Sequence, residues 1–428
     1  MPTGPELIER INIGAADETL ARLYVDPAAV PEQRERYIEL IRRLDREYPG
    51  DGDVGLFSSP GRTEVGGNHT DHNAGRVLAA AVNLDILAAA RRNDDDCIRI
   101  SSEGYAPFAV DLARREPLAT ERFTPKALAR GVCGRLAALG AQVGGFDACV
   151  SGRVPKGSGL SSSAAFEVLI GVMENELYNK GRFDPVTLAQ VGQYAENNYF
   201  GKPCGLMDQT TCAVGGFVTI DFKDFAHPVV KKVDYDFGAS GLTLVIIDTG
   251  GDHAGLNDDY AAIEHEMKSV AVAFGGKVLR EFSKEKVLAN VPFLRTRVND
   301  RAIQRALHFY DDDCRVAEQV AALEAGRRDD FLSLVVDSGH SSWMLCQNVY
   351  SPKDTDHQEI AVALAMSENL LAGRGAWRVH GGGFAGTIQA FVPSAMLAEY
   401  LQAMRDVYGP ESCHKLAVRP DGACEVEF

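Results

Sequence analysis

At 428 residues with 45% hydrophobic content, the chain is long enough for two or three domains with substantial cores. Its formal net charge of −16 argues against a nucleic-acid surface, so an anionic ligand would have to be met by local cations, a metal or backbone amides. Nine cysteines without a CxxC pair, and a start carrying Glu6, Glu9 and Arg10 in place of an apolar core, point to reduced thiols in a cytoplasmic protein.

Periodicity predicts helices over 6–20 and 32–48. In the second, Tyr37, Leu40, Ile41 and Leu44 recur at 3–4 spacing, and Pro49, Gly50, Asp51 and Gly52 end it. This makes 1–50 a helical leader. Short β-prone runs follow at 54–57, 77–82, 98–101 and 108–112, then a helix over 125–139 and a strand over 148–154. The run 84–90 is too short to span a membrane and is interrupted by Asp85. Helices over 164–178 and 185–199, a loop over 201–216 and a strand over 217–222 complete a first domain, taken as 51–230. Beyond the polar stretch 224–240, the second domain (231–428) opens on the apolar run 242–249. It continues with helices over 260–273, 301–325 and 331–336, a strand over 387–392 and a helix over 394–407. The mixed order predicts an α/β or α+β chain of two domains.

Three polar segments interrupt this pattern. Residues 59–76 read SPGRTEVGGNHTDHNAGR, a glycine-rich turn with Arg62, then Asn68, His69, Asp71, His72 and Asn73 between apolar flanks. That arrangement suits a loop presenting side chains to a small polar ligand, although Asn, Asp and Gly also make ordinary turns. His69, Asp71 and His72 lack a fourth partner at metal-site spacing. Residues 155–165 read PKGSGLSSSAA. Gly157 and Gly159 permit close backbone approach, and Ser161, Ser162 and Ser163 stand where a helix begins. Free amides and the dipole at a helix N-terminus attract anions, which makes phosphate binding the better reading over a serine-capped helix. No G-K-[ST] closes the segment, so it is not a Walker A loop, and no G-x-S-x-G makes it a nucleophile elbow. Asp208, in the apolar and small-residue loop 201–216, is a carboxylate that needs a partner or a task. Residues 379–386 read VHGGGFAG, three glycines that suit close approach to a ligand or to another strand.

In this order the segments resemble the signatures of the GHMP small-molecule kinases, and among them the galactokinases. The first is similar to G-R-x-N-L-I-G-E-H-T-D-Y-N-G-G, the second to P-x-G-x-G-L-S-S-S-A, PCGLMDQ to C-G-I-M-D-Q, and the last to G-G-G-F-G-G with Ala385 for one glycine. The resemblance implies a ribosomal-S5-like N-terminal domain and a ferredoxin-like C-terminal domain with the active site between them. It implies that Gly157, Ser158, Gly159, Leu160, Ser161, Ser162 and Ser163 cradle the phosphates of ATP, and that Ser163 and Glu196 hold Mg2+. Asp208 would be the base at a sugar's anomeric hydroxyl, and Arg62 would stabilise the transferring phosphoryl group. Asn68, His69, Asp71 and Tyr260 would contact the sugar. The partner implied is a small sugar, with no nucleic acid or membrane, for a monomer or weak homo-oligomer.

Three departures bear on the substrate. Asn68 stands where galactokinases carry Glu, Glu64 where they carry Asn, and His72 where they carry Tyr. The Glu of the family is associated with the hydroxyl on the sugar's sixth carbon. A Glu would repel a carboxylate at that carbon by about 1–4 kcal/mol at contact distance, whereas Asn would not. The resemblance therefore implies an ATP-dependent sugar 1-kinase with galactose as the default substrate, with galacturonate or another C6-altered galacto-configured sugar as the alternative and a catalytically silent sugar sensor as the reading of a different class. Retention of Ser163, Ala164 and Ala165, together with Arg62, Glu196 and Asp208, speaks against the sensor.

Overall fold

The computed structural model describes residues 2–155, 158–251 and 255–428. Its N-terminal sheet has eight strands: β1 (Gly55–Gly66), β2 (Arg76–Arg92), β3 (Cys97–Ser102), β4 (Phe108–Asp111), β5 (Phe146–Gly152), β6 (Phe217–Asp221), β7 (Val229–Val233) and, from the chain's end, β12 (Cys424–Glu425). The order is β12-β1-β2-β5-β3-β4, with β6 joining β2 to β7, and every pair is antiparallel except β3–β5. The C-terminal sheet is β11-β8-β10-β9, with β8 at Leu242–Asp248, β9 at Ala376–Val379, β10 at Thr387–Pro393 and β11 at Cys413–Leu416.

β2 shows how the layers form. Side chains alternate across a strand, and here Ala88 and Ala90 join the core under helices Pro125–Ala138, Ser162–Asn179 and Pro185–Ala195, while Leu87 and Ala89 face the leader. The leader is therefore a third layer on the same sheet. Its helices Gly4–Asn12, Asp17–Tyr24 and Val30–Glu47 bury Leu7, Ile11, Leu20, Leu40, Ile41 and Leu44 there. Each such side chain contributes about 1.5–3 kcal/mol on full burial. Asp85, which interrupts the apolar run in sequence, is the polar rivet of this layer. Fully buried, it accepts from Arg36 Nη1 at 2.6 Å, Tyr24 Oη at 2.8 Å and Ser58 Oγ at 2.5 Å.

The two sheets share one core. Leu244, Ile246 and Phe391 of the C-terminal sheet pack with Phe217 and Val316, and Phe237 meets Phe217 and Phe391 edge-on at 6.0 Å. Since β7 extends to Val233 and β12 returns to pair with β1, the chain crosses the sequence-based division at residue 230 in both directions. The long helix Asp300–Glu324 pins the β1–β2 connection: Asp312 accepts from the backbone N of Asn68 at 2.8 Å and Asp313 from that of Arg76 at 2.7 Å. Among the described residues, no helix is long and apolar enough to cross a membrane.

Helix Ser162–Asn179 carries a buried carboxyl, Glu174, whose pKa is raised to about 8 by burial. Its neighbours are the Cys133 thiol at 3.5 Å and the Gly144 amide at 3.3 Å. The unfolded chain ionises Glu near pH 4.3, so between there and about pH 8 the folded state holds the extra proton and stability falls as pH rises. Glu174→Gln removes that dependence. Its gain over wild type grows through this window to about 4–5 kcal/mol at pH 8 and vanishes near pH 4. Urea unfolding at several pH values measures it; a pH-independent difference contradicts it.

Candidate active site

The site is built where β1, the loop leading into helix Ser162–Asn179, helix Met207–Val214 and the glycines before β10 converge. β1 is bulged between Pro60 and Arg62 and again between Glu64 and Gly66, and a bulge re-aims the side chains beside it. The backbone N of Arg62 donates to Leu160 O at 3.1 Å. A Cβ on Gly61 would lie 2.9 Å from that oxygen, so the close approach requires glycine. The Arg62 guanidinium forms a fork on Asp208, Nε to Oδ1 at 2.8 Å and Nη2 to Oδ2 at 2.6 Å, and its Nη1 donates to the Gly159 carbonyl. Ser161 Oγ donates to Asp208 Oδ2. Burial pushes the Asp208 carboxyl up, but the Arg62 charge and the hydrogen bonds from Arg62 and Ser161 outweigh it and hold the group below the usual carboxylate range.

Asp208 stands in the first turn of Met207–Val214, a helix where the sequence reads as loop. Ser161 adopts a left-handed backbone (φ 57°) and makes no side-chain cap on the helix it precedes. Its hydroxyl is committed to Asp208, which leaves the amides of the first helical turn available to a ligand. Ser163 Oγ lies 3.5 Å from Glu196 Oε1. Glu196 is buried and opens a π-turn, Glu196–Phe200, a distortion common at functional sites.

The C-terminal domain closes the other side. His380 reaches Thr63 Oγ1 at 3.0 Å and Thr387 Oγ1 at 2.9 Å, and Thr387 Oγ1 donates to Ser158 O at 3.4 Å. Burial and the nearby Arg62 and Arg378 push the His380 pKa down to about 3, so it is neutral. His69, in a left-handed backbone conformation (φ 59°), sets Nε2 3.0 Å from Gly382 O. Burial pushes its pKa down to about 4, so at neutral pH it is uncharged and must carry its proton on Nε2 to donate to that carbonyl. Tyr260, on helix Asn257–Ala273, donates from Oη to Gly383 O at 2.8 Å, and its ring lies against Gly382, where a Cβ would come within 2.7 Å of it.

Comparison with known proteins places this arrangement. Residues 127–216 match the GHMP kinases N terminal domain, and residues 45–92 match the galactokinase galactose-binding signature. A galactokinase of Streptomyces coelicolor is 30% identical over 368 residues, 85% of this chain and 91% of the relative. The chain belongs to the GHMP kinases, in their galactokinase branch. The fold agrees: the galactokinase of Lactococcus lactis complexed with galactose superposes with a TM-score of 0.76 at 24% identity, covering 90% of this chain and 98% of that one. The mevalonate kinase of Methanococcus jannaschii gives 0.62 at 14% identity, covering 86% and 99%. The two-domain α+β architecture expected from the motifs is thus the GHMP kinase fold, and the chain is a kinase of that family.

Within this GHMP kinase, Arg62, Gly159, Ser161 and Asp208 form one cluster and Ser163 with Glu196 the next. Ser158 is buried, its hydroxyl bonded to Pro155 O at 2.8 Å. Leu160 is buried in the core, and Ser162 is the first residue of its helix. Gly157 lies outside the described residues. Asp71 is half-buried beside Gly205, where a Cβ would come within 2.9 Å of Asp71 Oδ2. His72 bridges Asp71, at 3.7 Å, and Glu264, at 3.8 Å.

Asn68 differs from its expected position. It is fully buried and occupied by protein. Nδ2 donates to Glu64 Oε1 and to Gly381 O, each at 2.9 Å, while Oδ1 accepts from Ser342 Oγ at 3.1 Å and Asn348 Nδ2 at 2.8 Å. A sugar hydroxyl would have to displace one of these. Glu64 in turn accepts from Arg378 Nη2 at 2.8 Å, an ion pair joining β1 to β9. The exchange of Glu and Asn relative to the family pattern is therefore one rearranged unit. Sequence reasoning missed Thr63, Glu167, Gln209, Arg378, His380 and Thr387. Only Gln209, in the MDQ string, and Glu167, one helical turn beyond Ser163, carried a signal in their positions.

Proposed function

We propose that this kinase transfers the terminal phosphoryl group of ATP to the anomeric hydroxyl of galactose, giving galactose 1-phosphate and ADP, as a cytoplasmic enzyme. The observation that carries the reading is the Arg62–Asp208 fork placed against Gly159 and Ser161 where the glycine–serine loop runs into its helix. Asp208 accepts the proton of the anomeric hydroxyl. Its lowered pKa makes it a weak base, so the proton moves as the new O–P bond forms, in keeping with the loose transition state of phosphoryl transfer. Arg62 keeps Asp208 ionised and offers charge to the phosphoryl oxygens, and the amides of the first turn of Ser162–Asn179 meet the phosphates.

Ser163 and Glu196 suit Mg2+ in chemistry: a hydroxyl and a carboxylate, both hard oxygen donors, 3.5 Å apart at the end of the phosphate loop. When bound there, Mg2+ neutralises phosphate charge during transfer. His69, Asp71 and Tyr260 stand on the sugar side of the cleft.

A second reading, a galacturonate kinase, is favoured by the state of position 68. Asn68 brings no charge, and the nearby Glu64 is neutralised by Arg378. An ADP-release assay with Mg·ATP over galactose, galacturonate, N-acetylgalactosamine, arabinose and glucose tests both. Turnover of galactose above the others is the expected outcome. Turnover of galacturonate alone replaces the substrate, and sugar binding without any ADP release replaces the enzyme with a sensor.

A further inference from the structure

Behind Ser163 and Glu196, three helices meet around a second carboxylate. Glu167 lies one turn after Ser163 on helix Ser162–Asn179, on the same face, and it has no exposure to solvent. Gln209, the residue after Asp208, places Nε2 3.0 Å from Glu167 Oε2 and 2.9 Å from Glu196 Oε2, with the weaker acceptor Cys204 Sγ at 3.6 Å. Room for this comes from Gly192 on helix Pro185–Ala195. A Cβ there would lie 3.3 Å from Glu167 Oε2 and 3.2 Å from Gln209 Cγ. Glu167 Oε1 and Gln209 Oε1 are buried without a hydrogen-bond partner. A buried carboxyl left half-satisfied costs stability, and an apolar side chain would fill the same helix junction without that cost.

The geometry offers a reason for the carboxyl. Between two acceptors only the NH2 end of an amide satisfies both sides, so Glu167 dictates which way Gln209 faces. Gln209 in turn anchors Glu196 by Oε2 and leaves its Oε1 toward Ser163. We propose that Glu167 is a positioning residue of the cation site, acting through Gln209 to fix the carboxylate of Glu196. Partners of this kind, one step behind a metal ligand, set its orientation and thereby the affinity. The role requires an acceptor oxygen at Glu167 and not its charge. The inference rests on the reading of Ser163 and Glu196 as Mg2+ ligands.

The test uses Mn2+ in place of Mg2+, its binding to the ADP-saturated enzyme followed by electron paramagnetic resonance. The proteins are wild type, E167Q, E167L, Q209L and the double variant E167L/Q209L, each checked for folding by circular dichroism. E167L is expected to weaken Mn2+ binding by about 10–100-fold. E167Q, which keeps an acceptor, stays close to wild type. Q209L matches E167L, and the double variant is no weaker than Q209L. Wild-type affinity in E167L overturns the proposal, as does an E167Q as weak as E167L, or losses that add in the double variant. If E167L does not fold, Q209L with E167Q decides: undiminished binding in Q209L overturns it. A wild-type enzyme that binds no Mn2+ in the presence of ADP removes the cation reading itself, and this inference with it.

Discussion

Asp208→Asn is expected to lower kcat by about 10²–10⁴-fold, the range in which a positioned general base contributes. The amide keeps the shape of the side chain and its bond from Ser161, yet loses the negative charge and the ability to take a proton. The KM for the sugar should move far less, because the proposed sugar contacts at His69 and Asp71 are untouched. Folding has to be followed in parallel, since Arg62 is buried and Asp208 is its ion-pair partner. Acid sensitivity separates the two roles. A carboxyl whose folded pKa is depressed stabilises the fold above its unfolded value, near 3.9, and loses that contribution as pH falls through the folded value. The variant lacks this component while being impaired in turnover at every pH. An Asp208→Asn enzyme that folds normally and turns over at the wild-type rate would falsify the base assignment.

Arg62, Ser163, Glu196 and Asp208 stand out in the sequence because they fall on the motifs that carry the family resemblance. Their contacts do not, since 146 positions separate Arg62 from Asp208. Local signals also misread some elements. Residues 58–66 look like a turn because Ser58, Arg62, Thr63 and Glu64 are polar; they continue β1, with partners supplied by Asp208, His380, Arg378 and Arg419 from elsewhere. β2 runs through Asn83 and Asp85 for the same reason: Ala417 and Arg36 satisfy them. Residues 6–20 read as one helix, whereas the structure breaks between Gly4–Asn12 and Asp17–Tyr24, with Gly14 at φ 85°. Helix Glu359–Leu371 went unread because its run, EIAVALAMSENLL, is apolar nearly all round and gives no amphipathic contrast. Strands β11 and β12 are too short to carry a periodic signal and exist through pairing with β8 and β1.

Restoring the family residue at position 68 alone should be destructive. Asn68→Glu places a carboxylate at a site with no solvent exposure, beside Glu64 and opposite the Gly381 carbonyl, with Asp312 on the adjoining backbone amide. Ser342 and Asn348 can still donate to it, but the neighbouring Arg378 is already paired with Glu64, and leaving a buried charge unpaired costs about 3–5 kcal/mol. Glu64→Asn fails for the opposite reason, because it strips Arg378, already without partners at Nε and Nη1, of its carboxylate. Made together, the two changes conserve the charge of the unit and give Arg378 a carboxylate one residue pair away. The double variant should then be less destabilised than the sum of the singles, with a coupling of about 1–3 kcal/mol. Urea unfolding of the four proteins measures that coupling; strictly additive losses would mean that positions 64 and 68 are independent. The same proteins bear on the substrate. A carboxylate at 68 would repel a second one on the sugar's sixth carbon by about 1–4 kcal/mol, so whatever folded fraction of Asn68→Glu remains should discriminate further against galacturonate relative to galactose. If that ratio is unchanged, the sixth carbon does not face position 68, and selectivity at that carbon must be sought elsewhere on the sugar side of the cleft, where His72 stands between Asp71 and Glu264.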